Sequence, residues 1–488
     1  MADRPNILLV TADHMNWDTI CGRSICRTPH INRLAEEGVS FERSYTPVSI
    51  CCPTRAMLVS GAYPWHNGVY NQVHVPEAVS RDMHEDVATY SQHLREAGYR
   101  LGYVGKWHAS FERGPLDFGY HSLRAPRCLG ADCLARYDLP EEQLYRDHAA
   151  RPRRTVGERY LTWPGGDRFL MWAGVDAEPD ATPQHSVAQA GADALHELAD
   201  RDEPWLAEVH FSAPHDPYEP LLRFLEHYRL ENVSLPESFY GETFANKPRM
   251  LRIEADTWSE LSEEEFRQAR RHYLAYCEQV DLFVGRVLDT LAEIGAVQNT
   301  LTIFTCDHGD HVGAHRCFSK GWQPYEETHR IPMVARWPGV IPAGSRTEAL
   351  VQLHDWAHTI VEVADAEPLP HADGRSLVEL LQRPEIGQRW RDHIMNVYYG
   401  EEFLYTQRIA IGRRHKYVFN GFDIDELYDL ERDPAELHNV IDHPAYQDTA
   451  QAMRDALWDM MFTYEDPYSE HRYGAARYLQ GPTGGLPR

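Results

Sequence analysis

Two short apolar runs nearly 300 residues apart narrow the folds open to this chain. Asn6–Thr11 (NILLVT) is a continuous apolar run, and Thr300–Thr305 (TLTIFT) reads as a second buried strand. Strands covered on both faces belong to parallel sheets flanked by helices. Each run leads into Asp-His, Asp13-His14 in one case and Asp307-His308 in the other. Open α/β sheets bind ligands in the crevice beyond the carboxyl ends of their strands. The two dipeptides therefore bring oxygen and nitrogen donors to one sheet edge, a plausible setting for a divalent metal. Carboxylates alone suit calcium or magnesium, whereas added imidazoles favour manganese or zinc.

Further strands are expected at Val39–Tyr45, Tyr99–Val104, Trp205–Ser212 and Ile331–Arg336, with helices at Thr89–Ala97, Ser186–Leu198, Glu263–Ile294 and Leu353–Val363. Ser262 caps the longest helix and Gly295 ends it. Tyr99–Val104 runs into Gly105-Lys106-Trp107-His108, and Trp205–Ser212 into Pro214-His215-Asp216-Pro217. Lys106 and His108 are one residue apart and so share a face of an extended segment. Phe111–Asp180 shows little periodicity and reads as insertions that shape an entrance. From about Arg389 the texture changes to short alternating strands (IMNVYYG, QRIAIG, HKYVFNG) separated by glycine turns. A last helix covers Ala445–Phe462, and an extended arm follows through Pro482 and Gly485. The expectation is an α/β fold. Residues 1–382 form a large, mostly parallel mixed sheet sandwiched by helices, and residues 383–488 a smaller C-terminal antiparallel sheet with an extended tail.

The chain has 488 residues, ample for a large core, and 48 basic against 74 acidic residues leave a net charge of −26. That balance argues against nucleic acid or an anionic membrane as partner. A molecule this negative that accepts an anion needs local positive charge in its cleft. The nine cysteines form no CxxC pair and no regular framework, so free thiols in a reducing compartment are expected. The start, MADRPNILLVTADH, lacks the pattern of a signal peptide, and no stretch is long and apolar enough for a membrane span. A cytoplasmic location is the expectation, and the C-terminal arm hints at contacts in a homo-oligomer.

Ser49–Gly61 (SICCPTRAMLVSG) supplies the nucleophile candidate. Pro53 suits the first turn of a helix, and Ala56-Met57-Leu58 continue it. Cys51 then lies at a helix N-terminus, where free N–H groups favour an anion. Arg55 adds a fixed fork suited to sulfate or phosphate oxygens.

Taken in order, TADH, CCPTR, GKWH, PHDP, TCDHGD, SKG and the segment Glu426–Pro434 (ELYDLERDP) resemble the formylglycine-dependent sulfatases of the alkaline phosphatase superfamily, over nearly the whole chain. In that family a formylglycine-generating enzyme oxidises the motif cysteine to an aldehyde, whose hydrate is the nucleophile. The resemblance implies that Asp13, Asp307 and His308 ligate one divalent metal, Ca2+ or Mn2+, with residue 51 completing its shell. Arg55 and Lys106 would hold the hydrate and the developing charge. One geminal hydroxyl attacks sulfur while His215 or Lys320 assists the leaving oxygen, and His108 then deprotonates the second hydroxyl so that sulfate departs.

His14 stands where many sulfatases have a second acid, so it either ligates through nitrogen or sits in the outer shell. That departure weakens the usual inference of calcium. The implied substrate is a small anionic sulfate ester. A sister group, the phosphonate monoester hydrolases and phosphodiesterases, uses the same aldehyde. Asn71 matches one of its polar substrate-binding positions, but that group generally carries Tyr-x-Thr where this chain keeps Lys106 and His108. A non-catalytic anion-binding protein is the remaining alternative, should Cys51 stay a thiol.

Overall fold

The computed structural model describes residues 4–140, 154–162, 166–371, 373–401, 405–421 and 423–470. Its strands in chain order are β1 (Asn6–Asp13), β2 (Val39–Tyr45), β3 (Arg100–Lys106), β4 (Ser122–Arg127), β5 (Arg154–Thr162), β6 (Arg168–Asp176), β7 (Trp205–Pro214), β8 (Thr300–Cys306), β9 (Met333–Arg336) and β10 (Ser345–Gln352). Eight of them form one sheet in the order β10-β2-β9-β8-β1-β7-β3-β4. Only β9 runs against the rest, pairing antiparallel with β2 and β8. At the centre Leu8 of β1 lies opposite Ala207 of β7 and Thr302 of β8, both in parallel register. Every residue of β8, and all of β1 after Asn6, is buried. Helices on both faces account for that.

The 31-residue helix Glu263–Glu293 packs against Pro183–Ala199 and β7. It starts with the expected capping box, Ser262 and Glu265 satisfying each other's backbone N–H groups.

A second sheet is an antiparallel meander of β11 (His393–Tyr398), β12 (Gln407–Gly412), β13 (His415–Phe419) and β14 (Glu426–Asp429). Its inner face shares a second core with Val48, Ile50 and Met57, and with Met453, Leu457 and Met461 of the helix Gln447–Thr463. Cys52, Ala56, Leu58 and Val59 belong instead to the main core. The helix Cys51–Ser60 is thus clamped between two cores, and all ten of its residues are buried.

Several expectations change. The edge strands β4 (SLRAPR) and β10 (SRTEALVQ) are too mixed in polarity to read as buried strands, because only one flank of an edge strand is paired. The hairpin β5–β6 occupies part of the segment Phe111–Asp180, whose residues 141–153 and 163–165 lie outside the described residues. The final helix starts at Gln447, after a single 3-10 turn at Pro444–Tyr446. The C-terminal arm also lies outside the described residues. Among the described residues no helix is long and apolar enough to cross a membrane.

Candidate active site

Four strands deliver the chemistry to one edge. Asp13 and His14 end β1, Lys106 ends β3, His215 follows β7, and Asp307 and His308 follow β8. These are neighbouring strands, so their carboxyl ends converge over the N-terminus of the helix Cys51–Ser60. Two glycines make the approach close. Gly105 has φ +93°, and a Cβ there would stand 2.1 Å from the His210 carbonyl oxygen. A Cβ on Gly309 would stand 1.9 Å from the carbonyl of Glu327. His14 and His108 both adopt left-handed backbone (φ 65° and 59°), a conformation that costs energy for a residue with a side chain and is concentrated at functional sites.

Cys51 Sγ lies 3.1 Å from His308 Nε2 and 3.9 Å from Asp13 Oδ1. Lys106 Nζ is paired with Asp13 Oδ2. Arg55 Nε donates to Asp307 Oδ2 at 2.9 Å and its Nη1 to the Lys106 carbonyl at 3.2 Å. The buried Arg55 Nη2 makes no hydrogen bond. Lys320 Nζ approaches His14 Nε2 at 2.9 Å and His215 Nε2 at 3.4 Å, and the His14 and His215 ring centroids lie 3.9 Å apart, tilted by 37°.

These contacts set the proton affinities. Burial alone would raise the Asp13 carboxyl, but Lys106, with His215 and Arg55, holds it well below the usual range. Burial likewise opposes ionisation of Cys51, and Lys106, Lys320 and His308 overcome it, favouring an anion at this position. Burial and then Lys106 push His108 down to about 3, leaving it neutral. His215 moves the other way: burial works against its charge, but Asp216, 3.1 Å from Nδ1, holds it protonated.

The donors of Asp13, His14, Cys51 and His308 all lie within 4.8 Å of one another. His14 Nδ1 meets Asp310 Oδ2 at 3.0 Å, and His308 Nδ1 meets the Gly309 carbonyl at 2.9 Å. An acceptor on each Nδ1 fixes the ring so that Nε2 faces Asp13 Oδ1, at 3.9 Å from His14 and 3.7 Å from His308. An ion bound there would take the place of Lys320 on His14 and of the Cys51 contact on His308. The set fits a divalent ion. Asp307 stands beside this cluster, with one oxygen on Arg55 and the other accepting the His308 N–H at 2.9 Å.

A cavity of about 650 Å3 opens above Cys51. Asp13, Lys106, His108, His215 and Lys320 line it. Asn71 does not: its amide donates to the Glu77 carbonyl at 3.1 Å and accepts from the Val79 N–H at 2.9 Å, which fastens its own loop. Its neighbour Gln72 faces the cavity instead, with His74, Gln184, Asp216 and Glu401. Asp216 and Asp310 sit inside motifs that the sequence exposes. Gln72, His74, Gln184 and Glu401 carry no local signal, because the loops and helix turns that hold them show no pattern tied to the site.

A sheet edge with an anion-favouring residue 51, a metal-type donor cluster and two histidines of opposite proton affinity suits the hydrolysis of small anionic esters. Residues 5–366 match the sulfatase family model, and residues 313–462 match that of the N-sulphoglucosamine sulphohydrolase C-terminal region. The chain belongs to the sulfatase family, within the alkaline phosphatase superfamily. It is similar to the choline-sulfatase of Rhizobium meliloti (strain 1021), with 28% identity over 94% of this chain and 87% of that protein. It is also similar to an arylsulfatase of Clostridium perfringens (strain 13 / Type A), with 26% identity over 96% of each. Among solved structures, the phosphonate monoester hydrolase of Agrobacterium radiobacter shares the fold with a TM-score of 0.76 and 22% identity, over 94% of this chain and 96% of that one.

Proposed function

We propose that this protein hydrolyses a sulfate monoester of a small alcohol, using formylglycine made from Cys51 and one divalent metal at Asp13, His14 and His308. The observation that carries the reading is the placement of residue 51: it starts a buried helix on the cavity floor, 3.1 Å from His308 and in the field of the buried Lys106 and the half-buried Lys320. The hydrated aldehyde supplies two geminal hydroxyls, one to take the sulfuryl group and one whose deprotonation restores the aldehyde. A bound metal supplies polarisation of a sulfate oxygen, and the paired imidazoles favour manganese over calcium.

This chain's own side chains do the rest. Lys106 and Lys320, both held protonated, bind the charge that grows on the transferring group. His215, protonated beside Asp216, gives its proton to the leaving alcohol oxygen. His108 is neutral and buried, and takes the proton of the second hydroxyl. The reading calls for a formylglycine-generating enzyme as maturation partner and a cytoplasmic location, which the free state of all nine cysteines supports.

The test is peptide mass spectrometry of residue 51 after co-expression with the maturing enzyme, paired with turnover of an aryl sulfate. Conversion to the aldehyde, with turnover lost in Cys51→Ala, is expected. A persistent thiol would sink the mechanism in favour of anion binding. The shared fold with a phosphonate monoester hydrolase motivates a second substrate, an aryl phosphonate. Lys106 and His108 favour sulfate, so the phosphonate should be turned over more slowly.

A further inference from the structure

We propose that this chain has a second metal site, a soft inhibitory site for zinc or a similar cation, formed by His74 and His108 of the cavity wall with Cys52 buried behind them. One donor from each residue lies within 4.8 Å of the other two. His108 Nε2 and His74 Nδ1 are 2.9 Å apart. Two nitrogens on a tetrahedral zinc stand roughly 3.3 Å apart, given bonds of about 2.0–2.1 Å. The rings need spread only slightly to admit the ion.

Cys52 is buried, and its thiol donates to Gln72 Oε1 at 2.7 Å. Gln72 is itself fixed by a 2.7 Å bond to Glu401. His74 is exposed, which gives the ion a path in from solvent. A thiolate with two imidazoles selects a borderline or soft ion, whereas the Asp13 cluster adds a hard carboxylate. The two sites therefore prefer different metals.

Binding forms one metal–sulfur and two metal–nitrogen bonds. The Cys52 thiol proton leaves to solvent, and the N–H shared between the rings moves to the far nitrogen of its own ring. No group is oxidised or reduced. The consequence for turnover rests on the proposed role of His108: with its Nε2 on the ion, that side chain no longer takes up a proton.

The binding test uses Cys51→Ala protein saturated with manganese, so that Cys52 is the thiol left at the site. Titration with cobalt(II) should give a thiolate-to-cobalt charge-transfer band that saturates with one added equivalent and is displaced by zinc. The band should vanish in Cys51→Ala/Cys52→Ala, and affinity should fall roughly tenfold or more in Cys51→Ala/His74→Ala. No band, or a band indifferent to both changes, overturns the site. Should the Cys52 variant fail to fold, the exposed His74 position still decides.

In the aldehyde-bearing enzyme, zinc should inhibit aryl sulfate turnover reversibly. His74→Ala should need roughly tenfold more zinc for the same fractional loss, measured against its own zinc-free rate. Equal sensitivity overturns the inhibitory role. If that enzyme turns over no sulfate ester at all, the proposed function fails, and the cobalt titration still decides the site.

Discussion

The molecule buries charge in two places, and uses it differently in each. At the sheet edge Lys106, Arg55 and Lys320 crowd around residue 51 beneath an open cavity, and the Arg55 Nη2 makes no hydrogen bond. Between the main body and the C-terminal sheet, the charges close on themselves. Lys247 Nζ donates to Glu242 Oε2 at 2.7 Å and to the Glu436 carbonyl at 2.6 Å. Lys416 Nζ stands 2.9 Å from Glu326, 2.8 Å from Glu436 and 2.9 Å from the Pro324 carbonyl. His315 Nδ1 is 2.6 Å from Glu242 Oε2. The first arrangement holds cations in reserve for an anion that arrives. The second spends each ammonium on oxygens already in the fold, and so fastens β13 to the loops below it. Buried cations signal function where an open cavity lies above them, and docking where the groups around them all belong to the fold.

The largest expected effect breaks the second arrangement. Lys416→Met leaves Glu326 without its ammonium and removes the group that counters burial at Glu436, a carboxyl already pushed up to about 8. Removing one partner of a buried ion pair costs about 3–5 kcal/mol. Urea unfolding should register that loss, while turnover per folded molecule stays within about twofold of the parent. A variant as stable as the parent would show that these charges do not fasten the sheet. Lys106→Ala should give the reverse pattern. Loss of one stabiliser of transition-state charge lowers kcat/KM by about 10²–10³, equivalent to about 2.7–4 kcal/mol. Stability should fall less than in Lys416→Met, because Lys106 pairs with one buried carboxylate, Asp13, whereas Lys416 pairs with two carboxyls, Glu326 and Glu436. A larger loss of stability than of turnover would erase the distinction between the two regions.

The same contrast explains what was legible in the sequence. Asp13, His215 and His308 could be found because apolar strands end beside them, and a strand end in such a sheet faces a crevice. Cys51 could be placed from Pro53 and the helix formers after it. The edge strands β4 and β10 were not legible, since half-paired strands tolerate charge and lose the apolar run. Asn71 came from a family resemblance alone, and a loop offers no period to say that its neighbour Gln72 is the one facing the cavity. The docking charges were hidden for another reason. Glu242, Lys247, His315, Lys416 and Glu436 are far apart in sequence, and each alone reads as a surface residue. The segment ELYDLERDP was visible as a motif, yet nothing in it shows that Glu436, just beyond, accepts from Lys247 at its carbonyl and pairs with Lys416 at its carboxyl.

The smallest of the three effects concerns acid, and it sharpens the comparison by isolating one carboxylate. Burial would raise Glu242, but His315 and Lys247 bring it down to about 2 from an ordinary 4.5. A carboxylate with a depressed folded-state value contributes stability that is complete above the unfolded value and is lost as pH falls towards the folded one. Stability from Glu242 should therefore be intact at pH 6 and decline between about 4.5 and 2. His315, which burial pushes down to about 3, acts in the same direction over a wider window, because the unfolded ring takes up a proton below about 6.5 and the folded one does not. A tenfold change in proton affinity corresponds to about 1.4 kcal/mol, so the full shift of Glu242 is worth about 3.5 kcal/mol, of which the range above pH 3 samples about 2. Urea midpoints measured from pH 6 to pH 3 should fall more steeply in the parent than in Glu242→Gln, which is less stable at pH 6 and flatter below it. Parallel slopes would mean that Lys247 and His315 do not hold this carboxylate charged, and that the closed arrangement owes its strength to packing around Tyr325 and Tyr428, over whose rings Lys247 lies at 4.9 and 5.3 Å.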